Sequence, residues 1–301
     1  MRIDNAQLTA FAEVLRRGSF EAAARQLNVT PSAISQRIRL LEERLGQVLV
    51  NRKNPAQPTK SGETLARLAI QMDLLETEAL RELGAGATDD EPSLRMTIAV
   101  NSDSLSSWFY YTLDAMPAAE KIIFDIRVED QDQSAVLLRD GSVIAAITTE
   151  PKPVQGCRVE TLGVMRYLAV ASAAFIDRYF SDGVNASSLA NAPLLVFNDK
   201  DALQQRFMQQ IAPQTQPLRQ HSIPSSICFI EMAKRGLGWG MSPEILVRDK
   251  IESGELCEII PGMQLNVPLY WQHWRINSKV LSALTQAVSH AAVGHLWPLS
   301  E

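Results

Sequence analysis

The sequence predicts a multi-domain chain: a small basic helical module closed by a β wing, then one long helix, then an α/β unit. Three observations carry this. Apolar residues recur at helical spacing through residues 8–45. A second helical stripe runs from Ser61 to about Leu83. Beyond residue 95, strand-like apolar runs alternate with helical patterns, as α/β units do. A chain of 301 residues exceeds one ordinary core. Its 46% hydrophobic against 21% charged residues fit a folded globular protein rather than disorder.

In the first module, Leu8, Phe11, Ala12 and Leu15 mark one helix, Ala22, Ala23 and Leu27 a second, and Ile34, Ile38, Leu41 and Leu45 a third, with breaks at Gly18 and Asn28. Residues 47–60, QVLVNRKNPAQPTK, switch to a short strand and a Pro-rich return, which reads as a hairpin or wing. The long helix carries Leu65, Leu68, Met72, Leu75, Ala79 and Leu83 near a three-four spacing, so a helix from a second chain is its expected cover. GAGATDDEPS (84–93) reads as a polar hinge. MTIAV (96–100), IIFDIRV (122–128), VIAAIT (143–148), YLAVAS (167–172) and PLLVF (193–197) read as strands of a mainly parallel sheet. Helices are expected around 104–117, 131–140, 173–180 and 226–236. The domain expectation is 1–60, 61–92 and 93–301.

Charge separates the modules. Residues 1–60 hold ten Lys/Arg against five acids, a net +5, within a chain of net −5. A basic module on an acidic body is expected where one end meets phosphate. Cys157, Cys228 and Cys257 are odd in number and far apart, so neither disulfide framework nor zinc site is indicated. No signal peptide or apolar stretch of membrane-spanning length appears, so a cytoplasmic protein is expected.

Residues 19–45 carry the DNA-reading pattern. Ser19 caps SFEAAARQL, Asn28-Val29 turns, Thr30 caps the next helix, and Pro31 takes its first position, where a missing N–H costs nothing. With Ile34, Ile38, Leu41 and Leu45 inward, Ser32, Ser35, Gln36 and Arg39 face outward. Such a face fits a major groove: Gln36 to an adenine edge, hydroxyls to base or phosphate, Arg39 to phosphate or guanine. Arg52, Lys53 and Thr59 in the wing would follow the adjacent backbone, and Thr30 at the helix start is a DNA-contacting candidate with them. An Arg-decorated solvated surface is the plainer alternative. The ordered run of cap, proline, short polar face and basic wing favours a helix-turn-helix.

FAEVLRRGSFEAAARQLNVTPSAISQRIRLLEERLG resembles the signature of LysR-type transcriptional regulators. The resemblance implies a winged helix-turn-helix, a dimerising linker helix and a two-lobed effector domain like periplasmic binding proteins, with lobes at 93–166 plus 268–301 and at 167–267. It also implies homodimers assembled into homotetramers on bent double-stranded promoter DNA, with RNA polymerase as a further partner. It puts Pro31, Ser32, Ser35 and Gln36 at base-contacting positions and Arg52 and Thr59 in the wing. Gln36 stands where many members carry arginine.

For the ligand, the residues after the strands are the candidates, since open α/β sheets bind at the carboxyl ends of strands. Asn101, Ser102, Asp103 and Ser104 follow the first strand, Glu129, Asp130 and Asp132 the second, and Thr148 and Thr149 the third. Ser225, Ser226 and Trp271 are additions. Helix-end N–H groups for a carboxylate and carboxylates for cations suit a basic amino acid. Helix capping by Asp103 and Ser104 and a solvated 129–132 loop explain the same residues equally well.

VNSDSLSSWF, VEDQD, AAITTE, GCRVETLGVMRYLAVAS, KRGLGWGMSPE and PLYWQHW are similar to the ArgP/LysG subgroup. That implies a lysine or arginine effector and activation of a basic amino-acid exporter gene. Ser102 stands where the subgroup often has alanine. A regulator answering to an aromatic or organic acid is the nearest rival, followed by a periplasmic-type binding component and an enzyme with a DNA-binding accessory. His221, His273, His290 and His295 sit in no metal or catalytic motif, and GLGWG lacks the last glycine of a dinucleotide loop, so it reads as a tightly packed strand. Neither enzyme nor cofactor is expected.

Overall fold

The structure, a computed structural model, describes residues 3–83, 94–116, 122–128 and 134–299. Three helices open it: α1 (Asn5–Arg17), α2 (Phe20–Gln26) and α3 (Pro31–Leu45). Each starts on a side chain that fits the job. Asp4 accepts from the Gln7 amide, Ser19 from Ala22 and Thr30 from Ala33, each satisfying a donor with no partner in the helix. Asn28 turns the chain between α2 and α3 with φ +52°, a conformation that asparagine tolerates. Leu8, Phe11, Val14, Ala23, Ile34, Ile38 and Leu41 are buried together in one core. The wing is β1 (Val50–Asn51) paired antiparallel with β2 (Gln57–Pro58).

Helix α4 (Lys60–Glu82) follows, capped by Thr59. Its stripe divides. Leu65, Ala66 and Ala69 are buried in the core of the N-terminal module and Leu74 in that of the α/β unit, whereas Leu68, Met72, Leu75 and Leu83 stay exposed. The chain therefore covers part of the stripe itself, at Leu65, and leaves the rest open.

The α/β unit runs β3 (Leu94–Val100), α5 (Ser102–Ser107), a 3-10 stretch Phe109–Ala115, β4 (Ile122–Val128), α6 (Ser134–Asp140), β5 (Ala145–Thr148), β6 (Cys157–Ala171), α7 (Ala173–Tyr179), α8 (Ala186–Asn191), β7 (Leu194–Val196), α9 (Leu203–Ile211), β8 (Gln220–Ser222), α10 (Ser226–Lys234), β9 (Gly240–Pro243), α11 (Glu244–Glu252), β10 (Cys257–Glu258), β11 (Gln264–Trp274) and α12 (Lys279–His295). The main sheet has order β10-β6-β11-β5-β3-β4, with β9 also on β6. Only β3–β4 and β3–β5 are parallel there, while β5–β11, β11–β6, β6–β9 and β6–β10 are antiparallel. The sheet is mixed rather than mainly parallel, because β6 goes out to a second lobe and β11 returns from it. The expected strand at 167–172 is thus the end of a longer one.

The two crossing strands define the lobes. At one end Tyr270–His273 of β11 take β5 as second neighbour, and at the other Tyr167–Val170 of β6 take β9. Between them, residues 163–166 of β6 and 266–269 of β11 pair with each other, beside an irregularity at Leu269/Tyr270. The GLGWG segment does pack tightly: a Cβ on Gly240 would sit 2.4 Å from Phe229 Cζ, and one on Gly238 2.8 Å from Leu195 Cδ2.

Candidate DNA-reading face and interlobe cleft

Helix α3 presents Pro31, Ser32, Gln36 and Arg39 to solvent, with Ser35 half-buried. Opposite them Ile34, Ile38 and Leu41 are fully buried, so the outward direction is fixed by the core. Ser32 shares a 2.9 Å hydrogen bond with the capping Thr30. Arg39 pairs with Glu43 one turn on, at 2.8 Å, through a weak exposed contact that a phosphate could replace. Arg52 and Lys53 are exposed on the wing, the Arg52 guanidinium lying 5.3 Å from the centre of the Phe20 ring. Thr59 is placed differently from the expectation. Its hydroxyl donates to the Val48 carbonyl at 2.7 Å and accepts from the Gly62 amide at 3.1 Å, so it holds α4 to the wing and is not free for phosphate.

The cleft lies between the lobes, a cavity of about 320 Å³. Asn101, Ser102, Asp103 and Thr149 reach it from lobe I, and Phe197, Lys200, Asp201, Arg206, Ser226 and Ser242 from lobe II. Asp103 is its centre: Tyr167 Oη donates to it at 2.7 Å and Ser226 Oγ at 2.6 Å. Burial pushes the Asp103 carboxyl above its ordinary pKa, against these two hydrogen bonds, and the charge of Asp201 adds to the rise. Ser102 Oγ lies 2.9 Å from Ser226 Oγ, so side chains of the two lobes touch. Asn101 Oδ1 and Ser242 Oγ are buried at the cleft wall without a partner among the described residues, a costly arrangement unless something enters to satisfy them. Asp201 is committed to its own turn, accepting from the amides of Phe197 and Leu203 and from Gln204 Nε2.

Several expected residues lie elsewhere. Trp271 is fully buried and donates to Thr285 Oγ1 at 3.1 Å, inside lobe I. Thr148, the strand neighbour of Thr149, points to the other face, where it donates to the Glu150 carbonyl at 3.3 Å. Ser104 is buried beneath α5. Ser225 caps α10, accepting from the Cys228 amide. Helix α5 has six residues, its Asn101 side chain makes no capping bond, and Asn101, Ser102 and Asp103 at its start line the cleft. Glu129, Asp130 and Asp132 lie outside the described residues. The expectation missed Phe197, Lys200, Asp201 and Arg206, although the strand-end rule, applied after PLLVF, points to them. Tyr167 and Ser242 sit inside strands and left no local signal.

Residues 6–63 match the family described as bacterial regulatory helix-turn-helix protein, lysR family, and residues 89–292 match the LysR substrate binding domain. The chain belongs to the LysR family. As a LysR-family protein it is a DNA-binding transcriptional regulator, built from a helix-turn-helix module and a two-lobed substrate-binding domain. It is 45% identical over 293 residues to the HTH-type transcriptional regulator LysG of Mycobacterium tuberculosis, covering 97% of this chain and 95% of that protein. The crystal structure of ArgP from Mycobacterium tuberculosis superimposes with TM-score 0.87 at 44% identity, covering 99% of this LysR chain and all of that one. Full-length LysG from Corynebacterium glutamicum with bound effector Arg gives TM-score 0.80 at 37% identity, over 98% of this chain and all of that one. Among the described residues no helix is long and apolar enough to cross a membrane, and no cluster of His, Cys, Asp or Glu could hold a metal ion.

Proposed function

We propose that this LysR regulator binds arginine or lysine in the interlobe cleft and, as a homodimer assembled into a homotetramer, reads promoter DNA through α3 and the wing. Its target is a gene for basic amino-acid export, activated in the cytoplasm through RNA polymerase. The supporting observation is the cleft's polar lining: the Asp103 carboxylate for the ligand's side-chain cation, with the unpartnered Asn101 Oδ1 and Ser242 Oγ for its remaining donors. An Arg-bound LysG of the same fold supports the same class. Ser32, Ser35, Gln36 and Arg39 read the groove, and Arg52 and Lys53 grip the backbone. The exposed leucines of α4 form the dimer seam. No catalytic role is assigned.

Calorimetry on the full-length chain with arginine, lysine and benzoate tests the ligand. Heat with either basic amino acid and none with benzoate is the expected result. Heat with benzoate alone overturns it and favours the organic-acid reading, for which the exposed Lys200 and Arg206 of the cleft speak. Promoter binding should weaken about a thousandfold from 50 to 200 mM salt if some six phosphates are neutralised. A flat salt response would reject the groove-docking face.

A further inference from the structure

The crossover that joins the lobes carries an arrangement the cleft chemistry does not use. Past α12 the chain turns back, and Trp297 forms an antiparallel bridge with Val164. The Val164 amide donates to the Trp297 carbonyl at 2.8 Å and the Trp297 amide to the Val164 carbonyl at 3.0 Å. Val164 belongs to the stretch of β6 that β11 alone accompanies, between the reach of β5 and that of β9. Among the described residues, the single bridge of Trp297 is therefore the third backbone segment beside this stretch, where the reach of β5 and β9 ends.

The side chains extend the contact into lobe II. Trp297 Nε1 donates to Glu244 Oε2 at 3.1 Å, the Arg166 guanidinium lies 3.8 Å from the indole ring centre, and Arg166 Nη1 is 3.5 Å from the same Glu244 oxygen. The Glu244 side chain is only 12% exposed and also takes Arg248, so its charge has three partners. Gly163 has φ +141°, and a Cβ there would lie 2.7 Å from the Trp297 carbonyl oxygen and 2.9 Å from Leu296 Cβ, so the bridge needs glycine at that point.

Two features connect this patch to the cleft. Glu244 directly follows Met241–Pro243, which line the cleft. Pro268 lines both the cleft and a second cavity of about 230 Å³ beneath Trp297. At its other end the segment leaves α12, whose Val280, Leu281, Leu284 and Val288 are part of the large core that contains Trp108 and Trp271.

We propose that Trp297, Arg166 and Glu244 are positioning residues that brace the crossover and set the angle between the lobes, and thereby how readily the cleft closes on its ligand. The proposal rests on the cleft being the effector site. Loosening the brace spreads the lobes over more open arrangements, and apparent affinity falls in proportion to the closed fraction.

Hydrogen exchange on the full-length chain without ligand, followed by arginine titration, tests it with Trp297→Ala, Glu244→Gln and Gly163→Ala. Exchange should quicken at 163–166 and 266–269, while β3 and β5 in lobe I and β9 in lobe II keep wild-type protection. The arginine Kd should rise by about threefold or more. Trp297→Phe, which keeps a ring over Arg166 but loses the bond to Glu244, should fall between. Unchanged exchange, loosening spread evenly through both lobes in all three variants, or wild-type arginine affinity despite a loosened crossover overturns the proposal. If the wild-type chain binds neither arginine nor lysine, the effector reading fails, while the exchange measurement still decides whether the brace exists.

Discussion

Helices α3 and α5 open alike and end in opposite surroundings. Thr30 completes the N-terminus of α3, leaving Ser32, Gln36 and Arg39 in water. Asn101 stands at the same position before α5, yet its side chain caps nothing and its Oδ1 is buried without a partner among the described residues. At α3 the exposed Gln36 lies apart from the buried Ile34, Ile38 and Leu41, so folding and the proposed recognition can be altered separately there. In the cleft Asp103 accepts from Tyr167 and Ser226 and is also the proposed counter-charge for the ligand, so stability and the proposed binding change together.

The largest expected effect breaks α3 from the inside. Ile38→Ala removes a fully buried side chain of the N-terminal core and should cost about 3 kcal/mol, read as an early thermal transition that leaves the α/β unit folded. Gln36→Ala should leave that transition unmoved and cost about 2 kcal/mol of discrimination at one base pair, read by competition with operator variants. If Gln36→Ala also lowered the melting temperature, the separation argued for α3 would fail.

The cleft should show the coupling. Asp103→Asn should weaken arginine binding about tenfold, measured by calorimetry at neutral pH. Its raised pKa also fixes a pH dependence. The folded chain holds a proton on Asp103 that the unfolded chain releases near the ordinary value of 3.8, so this group's contribution to stability falls as pH rises from there through its raised pKa. A cationic ligand needs the carboxylate, so arginine affinity should rise over the same interval, with a proton released on binding. Asp103→Asn should abolish both trends; a wild-type affinity flat across that interval would remove Asp103 as the ligand's counter-charge. The smallest effect is Thr30→Ala, a lost cap worth about 1 kcal/mol in the stability of the N-terminal module.

What the sequence made legible follows the range of the interactions involved. Caps, Pro31, the Asn28 turn and the wing are short-range devices, and each could be read directly. The strands of lobe I were apolar enough to find. Residues 157–166, CRVETLGVMR, mix charge and glycine, and nothing local shows that they continue β6, because their partner is β11, about a hundred residues away. The cleft divides in the same way. Asn101, Ser102, Asp103 and Thr149 follow strands and were found, whereas Ser242 reaches the cleft only because β9 pairs with β6. Thr148 shows the limit of the strand-end rule, since successive residues of a strand face opposite ways and the rule does not choose between them.

Glu78, on α4, accepts from Ser278 Oγ at 2.5 Å and from the Val280 amide at 3.0 Å, while Lys279 pairs with Glu82 at 2.8 Å. A carboxylate of the linker thus finishes the first turn of a lobe I helix. Under the function proposed above, linker and lobe I would act as one lever arm, with lobe II as the swinging end. Closure on the effector would then have to travel through the assembly before any reading helix shifted on its groove.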